Sequence, residues 1–159
     1  MSSLQLTYDD IFDSFLGSVT DYKLATLEKS SAYELMSSWL QKEVHKSYVK
    51  RLYKTSSLDN VTQIFTFELK HPGTDETDED QIEFVKGVVS KSMIIEWAEP
   101  QVKSTTLTTQ MFAGKEQSFY AQANHLSQIR SLLEDTKAEL RHELGDRGVV
   151  NNGYLGNVK

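Results

Sequence analysis

The sequence contains no cysteine. That excludes disulfides, thiolate metal sites and cysteine nucleophiles together, and implies indifference to redox state. Proline is nearly as scarce, with only Pro72 and Pro100, so long helices can run with little interruption. No run of about 18 apolar residues occurs, so no membrane-spanning helix is expected. The opening stretch "MSSLQLTYDDIF" has neither the basic segment nor the apolar segment of a secretory signal, and none is expected. Basic charge is short as well: 17 Lys and Arg stand against 23 Asp and Glu, for a net charge of −6. Affinity for nucleic acid comes mainly from cations on phosphates, so this balance makes a poor wrapper of DNA or RNA.

Recognisable reaction chemistry is missing too. Four histidines stand at positions 45, 71, 125 and 142, none in an H-E-x-x-H pair and none at ligand spacing with acids. No G-x-S-x-G elbow, G-x-x-x-x-G-K-[ST] loop or G-x-G-x-x-G turn occurs. The nearest glycine-rich stretch, "GDRGVVNNG", follows a helical pattern where a phosphate cradle would lead into one. The expectation is a non-enzymatic protein with no catalytic, cofactor-binding or metal-binding residues and no cofactor.

What is there reads as one domain of 159 residues, 38% apolar and 25% charged. Thr7 is a candidate cap, with Asp9 and Asp10 behind it and Ile11, Phe12, Phe15, Leu16 and Val19 as an apolar stripe. Ser31-Ala32-Tyr33-Glu34 fits a capping box ahead of Leu35, Met36, Trp39, Leu40 and Val44. "HKSYVKRLYK" continues that helix or starts another, with Tyr48, Val49, Leu52 and Tyr53 inward. Residues 58–69 are ambiguous. Leu58, Val61, Ile64 and Phe65 favour a helix, whereas Phe65, Phe67 and Leu69 alternate as in a strand, and the helix is preferred. Ile82, Val85, Val88, Val89, Met93 and Trp97 predict a helix that Pro100 ends. "QVKSTTLTTQMFAG" reads as a frayed helix or a loop. A last helix of roughly 28 residues, near 40 Å long, is expected to close on a left-handed Gly145. Its length exceeds what a domain of this size needs, so part of it is expected to pack on another chain. Core candidates are Phe12, Phe15, Trp39, Leu40, Val85, Val89, Trp97, Leu126, Ile129 and Leu133.

Three segments stand apart from this frame. The acidic loop "TDETDED" (residues 74–80) holds five acids, leaving the rest of the chain at −1. It reads as a solvated connector, with repulsion of nearby nucleic acid as the alternative; it lacks the glycine and distal glutamate of an EF-hand. Lys46, Lys50, Arg51 and Lys54 form a basic cluster, either the wet face of a helix or a DNA-facing surface without base specificity. The ending "GDRGVVNNGYLGNVK" is glycine-rich yet carries Val149, Val150, Tyr154, Leu155 and Val158. Ordering such a segment on its own globule costs backbone entropy that five apolar side chains scarcely offset. It is read as an arm that orders on another molecule, a plainly disordered terminus being the alternative.

The succession "TYDDIFDSFL", "YELMSSWLQKEV", "VVSKSMIIEWAEPQVKS", "QMFAGKEQSFYAQANHLSQIRSLLEDTKAELR" and "DRGVVNNGYL" resembles the head–tail connector, or neck adaptor, proteins of tailed bacteriophages over nearly the whole chain. The resemblance implies a mainly α fold: a helical bundle with a long C-terminal helix, residues 1–144 as the adaptor domain and 145–159 as an extended arm. It implies a structural virion protein in the neck region, assembled in the bacterial host cytoplasm. Its partners would be the portal protein, neighbouring copies in a dodecameric ring, and the next neck or tail protein. Genomic DNA would pass non-specifically, and no membrane is involved. Val149, Val150, Tyr154, Leu155 and Val158 would form a partner interface, together with Met111, Phe112, Phe119 and Tyr120 of the "QMFAGKEQSFY" loop; ordinary packing on the same bundle is the alternative for the latter four. Two other roles stay open: another neck or tail-completion protein, and a small DNA-binding or packaging-associated protein using the basic cluster.

Overall fold

Thr7 ends the first strand and starts the first helix. Strand β1 (Leu4–Thr7) runs directly into helix α1 (Tyr8–Leu16), and the Thr7 hydroxyl accepts from the Asp10 amide at 3.2 Å. That bond satisfies an amide the first turn leaves free, as the sequence predicts. This is a computed structural model, and it describes residues 3–19, 22–111 and 116–146. The elements that follow are α2 (Tyr22–Thr26), α3 (Lys29–Val44), α4 (Ser47–Lys50), β2 (Tyr53–Asp59), β3 (Ile64–Leu69), α5 (Asp78–Met111) and α6 (Glu116–Asp146). The protein is mostly helical, as expected, but carries a small three-stranded sheet that the expected bundle lacks.

That sheet comes from the stretch read as a helix. Residues 58–69 lie in β2, a turn and β3, joined antiparallel with Leu58 opposite Phe65 and Ser56 opposite Phe67. Phe65, Phe67 and Leu69 are buried while Ile64, Thr66 and Glu68 between them are half-buried, the period-two pattern of a sheet with one face on the core. Val61, needed for the helical stripe, instead sits on the turn. There Asp59 Oδ1 accepts from the amides of Val61 and Thr62 at 2.9 and 3.2 Å, a turn device open to Asp and closed to apolar residues. β1 pairs with the other edge of β3, Leu4 opposite Phe67 and Leu6 opposite Phe65, for the order β1-β3-β2.

Three helix boundaries differ from expectation. Helix α3 starts at Lys29, with Glu28 extended before it and the Ala32 amide bonded to the Glu28 carbonyl at 3.0 Å. Ser31 therefore lies inside the first turn, and the capping box does not form. Pro100 lies within α5, which continues to Met111. Proline leaves the Glu96 carbonyl without its helical donor, and Gln101 Nε2 donates to the neighbouring Trp97 carbonyl at 3.1 Å. With Ala98 buried and Val102 packed on the core on either side, packing holds the helix together across the break. Finally, α6 runs through Gly145 to Asp146, so Gly145 is not a left-handed cap.

The acidic stretch finds a local use. Thr77 and Asp80 cap α5 reciprocally: the Asp80 amide donates to Thr77 Oγ1 at 3.2 Å and the Thr77 amide to Asp80 Oδ2 at 3.0 Å. Asp78, Glu79 and Asp80 then fill the first turn, where the helix dipole favours negative charge. The Thr77 amide and then its hydroxyl, both donating to the Asp80 carboxylate, hold it below the usual range. Among the described residues no group of acids and histidines could hold a metal ion, and no helix is long and apolar enough to cross a membrane.

Helices α5 and α6, of 34 and 31 residues, are about 50 and 46 Å long. They run antiparallel, because Lys91 meets Glu139 and Glu143 while Glu99, further along α5, meets Lys137 at 3.1 Å. The long last helix thus packs along residues 129–144 on its own chain, where Ile129, Leu133, Leu140 and Leu144 are buried. The other side of α5 receives α1, α3 and β1. Phe15 sits among these helices, edge-on to Trp39 at 5.6 Å and to Trp97 at 6.5 Å. Of the expected core, Phe12, Phe15, Leu40, Val85, Val89, Trp97, Ile129 and Leu133 are buried, and Trp39 and Leu126 are half-buried.

Gly87 lies inside α5 with no atom within 4 Å of where a Cβ would stand. Gly87→Ala is expected to stabilise the protein by about 0.5–1 kcal/mol through helix propensity, read as a higher urea midpoint with an unchanged slope.

Candidate functional site

The apolar stripe of α3 runs Met36, Leu40, Val44 at helical spacing, and Glu43 falls on the same buried side, three residues after Leu40. Its side chain is 0% exposed. A carboxylate there needs partners, and the turn after the helix supplies them. Lys46 Nζ lies 2.6 Å from Glu43 Oε1, and the Tyr48 hydroxyl donates to Oε2 at 3.0 Å. Glu96 of α5 completes the group: it receives Lys46 at 3.4 Å and Lys42 at 3.5 Å. Burial raises the Glu43 pKa, and the adjoining Glu96 adds to the rise, against the pull of Lys46 and Tyr48. Glu96 is also pushed up by burial, but its bonds from Glu43 and Lys46 and the charges of Lys46 and Lys42 leave it below its ordinary value. Burial lowers Lys46, yet the two glutamates outweigh that and raise it; Tyr48 is pushed up to about 12, mainly by burial and then by the Glu43 charge.

This cluster backs onto a cavity of about 470 Å³ between α4, α5 and α6. Tyr48, Ile95, Leu140 and Leu144 form its apolar lining, and Lys46, Glu99, Lys137 and Arg141 its charged rim. At neutral pH Lys46 is locked as a cation and Tyr48 as a phenol, so neither is a base or a nucleophile. The chemistry suits holding an apolar group against charged neighbours. Arg141 donates through Nε to the Lys137 carbonyl at 3.3 Å and has no carboxylate partner among the described residues. Lys137 is paired with Glu99. A second cavity, of about 420 Å³, lies beside the β2–β3 turn, between Tyr8, Tyr33, Gln41, Asn60 and Gln63.

The basic cluster read from the sequence does not form one free surface. Lys46 belongs to the Glu43 and Glu96 group, and Lys54 reaches Glu68 at 3.1 Å. Lys50 and Arg51 are exposed at the end of α4 with no carboxylate partner among the described residues. Of the expected partner interface, Met111 ends α5 and Phe119 and Tyr120 fall in the first turns of α6, so these three belong to helices. Phe112, Val149, Val150, Tyr154, Leu155 and Val158 lie outside the described residues. Sequence reading missed Glu43 and Arg141. A charged residue at core spacing, three after Leu40 and seven after Met36, is the signal that marks Glu43.

Compared with known proteins, the chain matches no family model, no curated protein and no solved structure.

Glu43 with its pKa raised favours the folded state most at low pH, and that contribution is lost as pH climbs through the raised value. Removing its cation deepens the loss. Lys46→Met is expected to cost about 2–3 kcal/mol at pH 7, less than a fully enclosed pair because Lys46 is 35% exposed. The deficit should shrink toward pH 4 as Glu43 takes up a proton, which urea unfolding of both proteins at the two pH values reads directly.

Proposed function

We propose that the chain is a structural virion protein of a tailed phage: a head–tail connector, or neck adaptor, that stands as a ring between portal and tail and lets the genome pass. The observation that carries this reading is the paired rod of α5 and α6. Among the described side chains the core reaches Val102 on α5 and Ile129 on α6, and the two helices extend to Met111 and from Glu116. Two antiparallel helices of about 50 and 46 Å in a chain of 159 residues give a length suited to packing against a neighbouring copy. The arm from residue 147 onward would engage the portal through Val149, Val150, Tyr154, Leu155 and Val158, and many weak arms on one ring hold together through effective concentration. The likeness of the sequence to connector proteins supports the same role. Another neck or tail-completion position would use the same rod and arm.

The DNA-binding alternative is weaker, because two of its four cations are committed to carboxylates within the chain. Phosphate contacts give a steep salt dependence that a conduit for DNA would lack.

Deletion of residues 147–159 is expected to abolish co-sedimentation with a purified portal ring while the far-ultraviolet helical signal stays. Undiminished portal binding by the shortened chain would remove the arm from the mechanism. A full-length chain that ignores the portal and binds DNA, with affinity falling steeply as salt rises, would overturn the connector role itself.

A further inference from the structure

The β2–β3 turn presents Val61 at 92% exposure, more than twice that of any other large apolar residue among those described. The turn beneath it is held from several sides. Asp59 takes the Val61 and Thr62 amides, and Asn60 Oδ1 accepts from the Tyr8 hydroxyl at 2.9 Å and from Gln41 Nε2 at 3.0 Å. Gln63 adopts φ 57°, a left-handed conformation that costs energy for a residue with a Cβ, and its carbonyl accepts from the Tyr8 amide at 3.0 Å. So much fixing of a turn whose valine buries nothing in its own chain makes a rigid apolar knob, which loses little freedom when it docks.

The same chain carries a matching socket. The cavity of about 470 Å³ between α4, α5 and α6 has an apolar floor of Ile95, Leu140 and Leu144, with room for more than one small side chain. Arg141 stands on its rim without a carboxylate partner among the described residues. The knob is the reverse in charge: Val61 is flanked by Asp59, whose carboxyl the turn amides keep ionised. Knob and socket also share no residue. Gln41, within α3, grips the turn, whereas Lys46, beyond the end of α3, lines the socket.

We infer that the Val61 turn of one copy seats in the Ile95/Leu140/Leu144 socket of the next, with Asp59 set against Arg141. Each copy gives one contact and receives another, a head-to-tail arrangement that closes into a ring when the rotation permits. The inference rests on the ring reading above and names the surfaces that build it.

The absence of cysteine makes the test clean. Copies carrying Val61→Cys are mixed with copies carrying Arg141→Cys and oxidised. A disulfide-linked dimer is expected in the mixture and not in either variant alone. Val61→Ser, a change at an exposed site that leaves the fold intact by circular dichroism, is expected to weaken self-association roughly tenfold in sedimentation. Equal cross-linking in the mixture and the separate variants, or undiminished association of Val61→Ser, overturns the knob and socket. Portal co-sedimentation of the unaltered chain separates the two ideas: binding without the cross-link refutes this contact alone, and loss of both refutes the ring.

Discussion

Helix α5 is largely covered through the middle of its length. From residue 84 to residue 99 every side chain is buried or half-buried, and a helix so covered needs partners on most of its sides. The remaining elements supply them, with α6 along one side and α1, α3 and β1 along the others. The few polar groups in the covered stretch show which neighbour lies where. Lys91 and Glu99 meet α6, Glu96 meets the end of α3, and the Ser90 hydroxyl accepts from Ser14 of α1 at 3.1 Å. Each is a polar residue that would be costly in a core without its particular partner, so the helix specifies its neighbours as well as demanding them.

The Glu43 group follows from that demand. Where α3 crosses α5, two acids meet in a confined space, and Lys46 is drawn off the surface to separate them. This is why a residue that looked available for phosphate is spent inside the protein. It is also why the α4 turn lies where it does, since Tyr48 must reach back to Glu43. The apolar cavity beyond lies where this short turn, α5 and α6 come together.

Much of this order was legible in the chain. The spacing of Val85, Val88, Val89, Met93 and Trp97 marked α5, and Thr7 marked the start of α1, because regular period and local capping are properties a short window contains. What escaped was decided from further away. The helix passes Pro100 because core contacts on both sides outweigh one lost hydrogen bond. Residues 58–69 form a hairpin because β1, some sixty residues earlier, offers β3 a second edge to pair with, and Asp59 can tie the turn. Among the site residues, Glu43 was missed, although a charge at core spacing is a signal the sequence holds. Nothing in the linear sequence places Arg141 beside Ile95, since that meeting depends on how α6 lies along α5.

Pro100 stands two residues past Ala98, at the rim of the covered region. The backbone link it removes, from residue 100 to the Glu96 carbonyl, is therefore missing between side chains that pack on both sides, Ala98 before it and Val102 after it. A helix lacking one rung bends most easily at that rung. Any flexing of α5 is thus focused on a joint that the globule itself clasps.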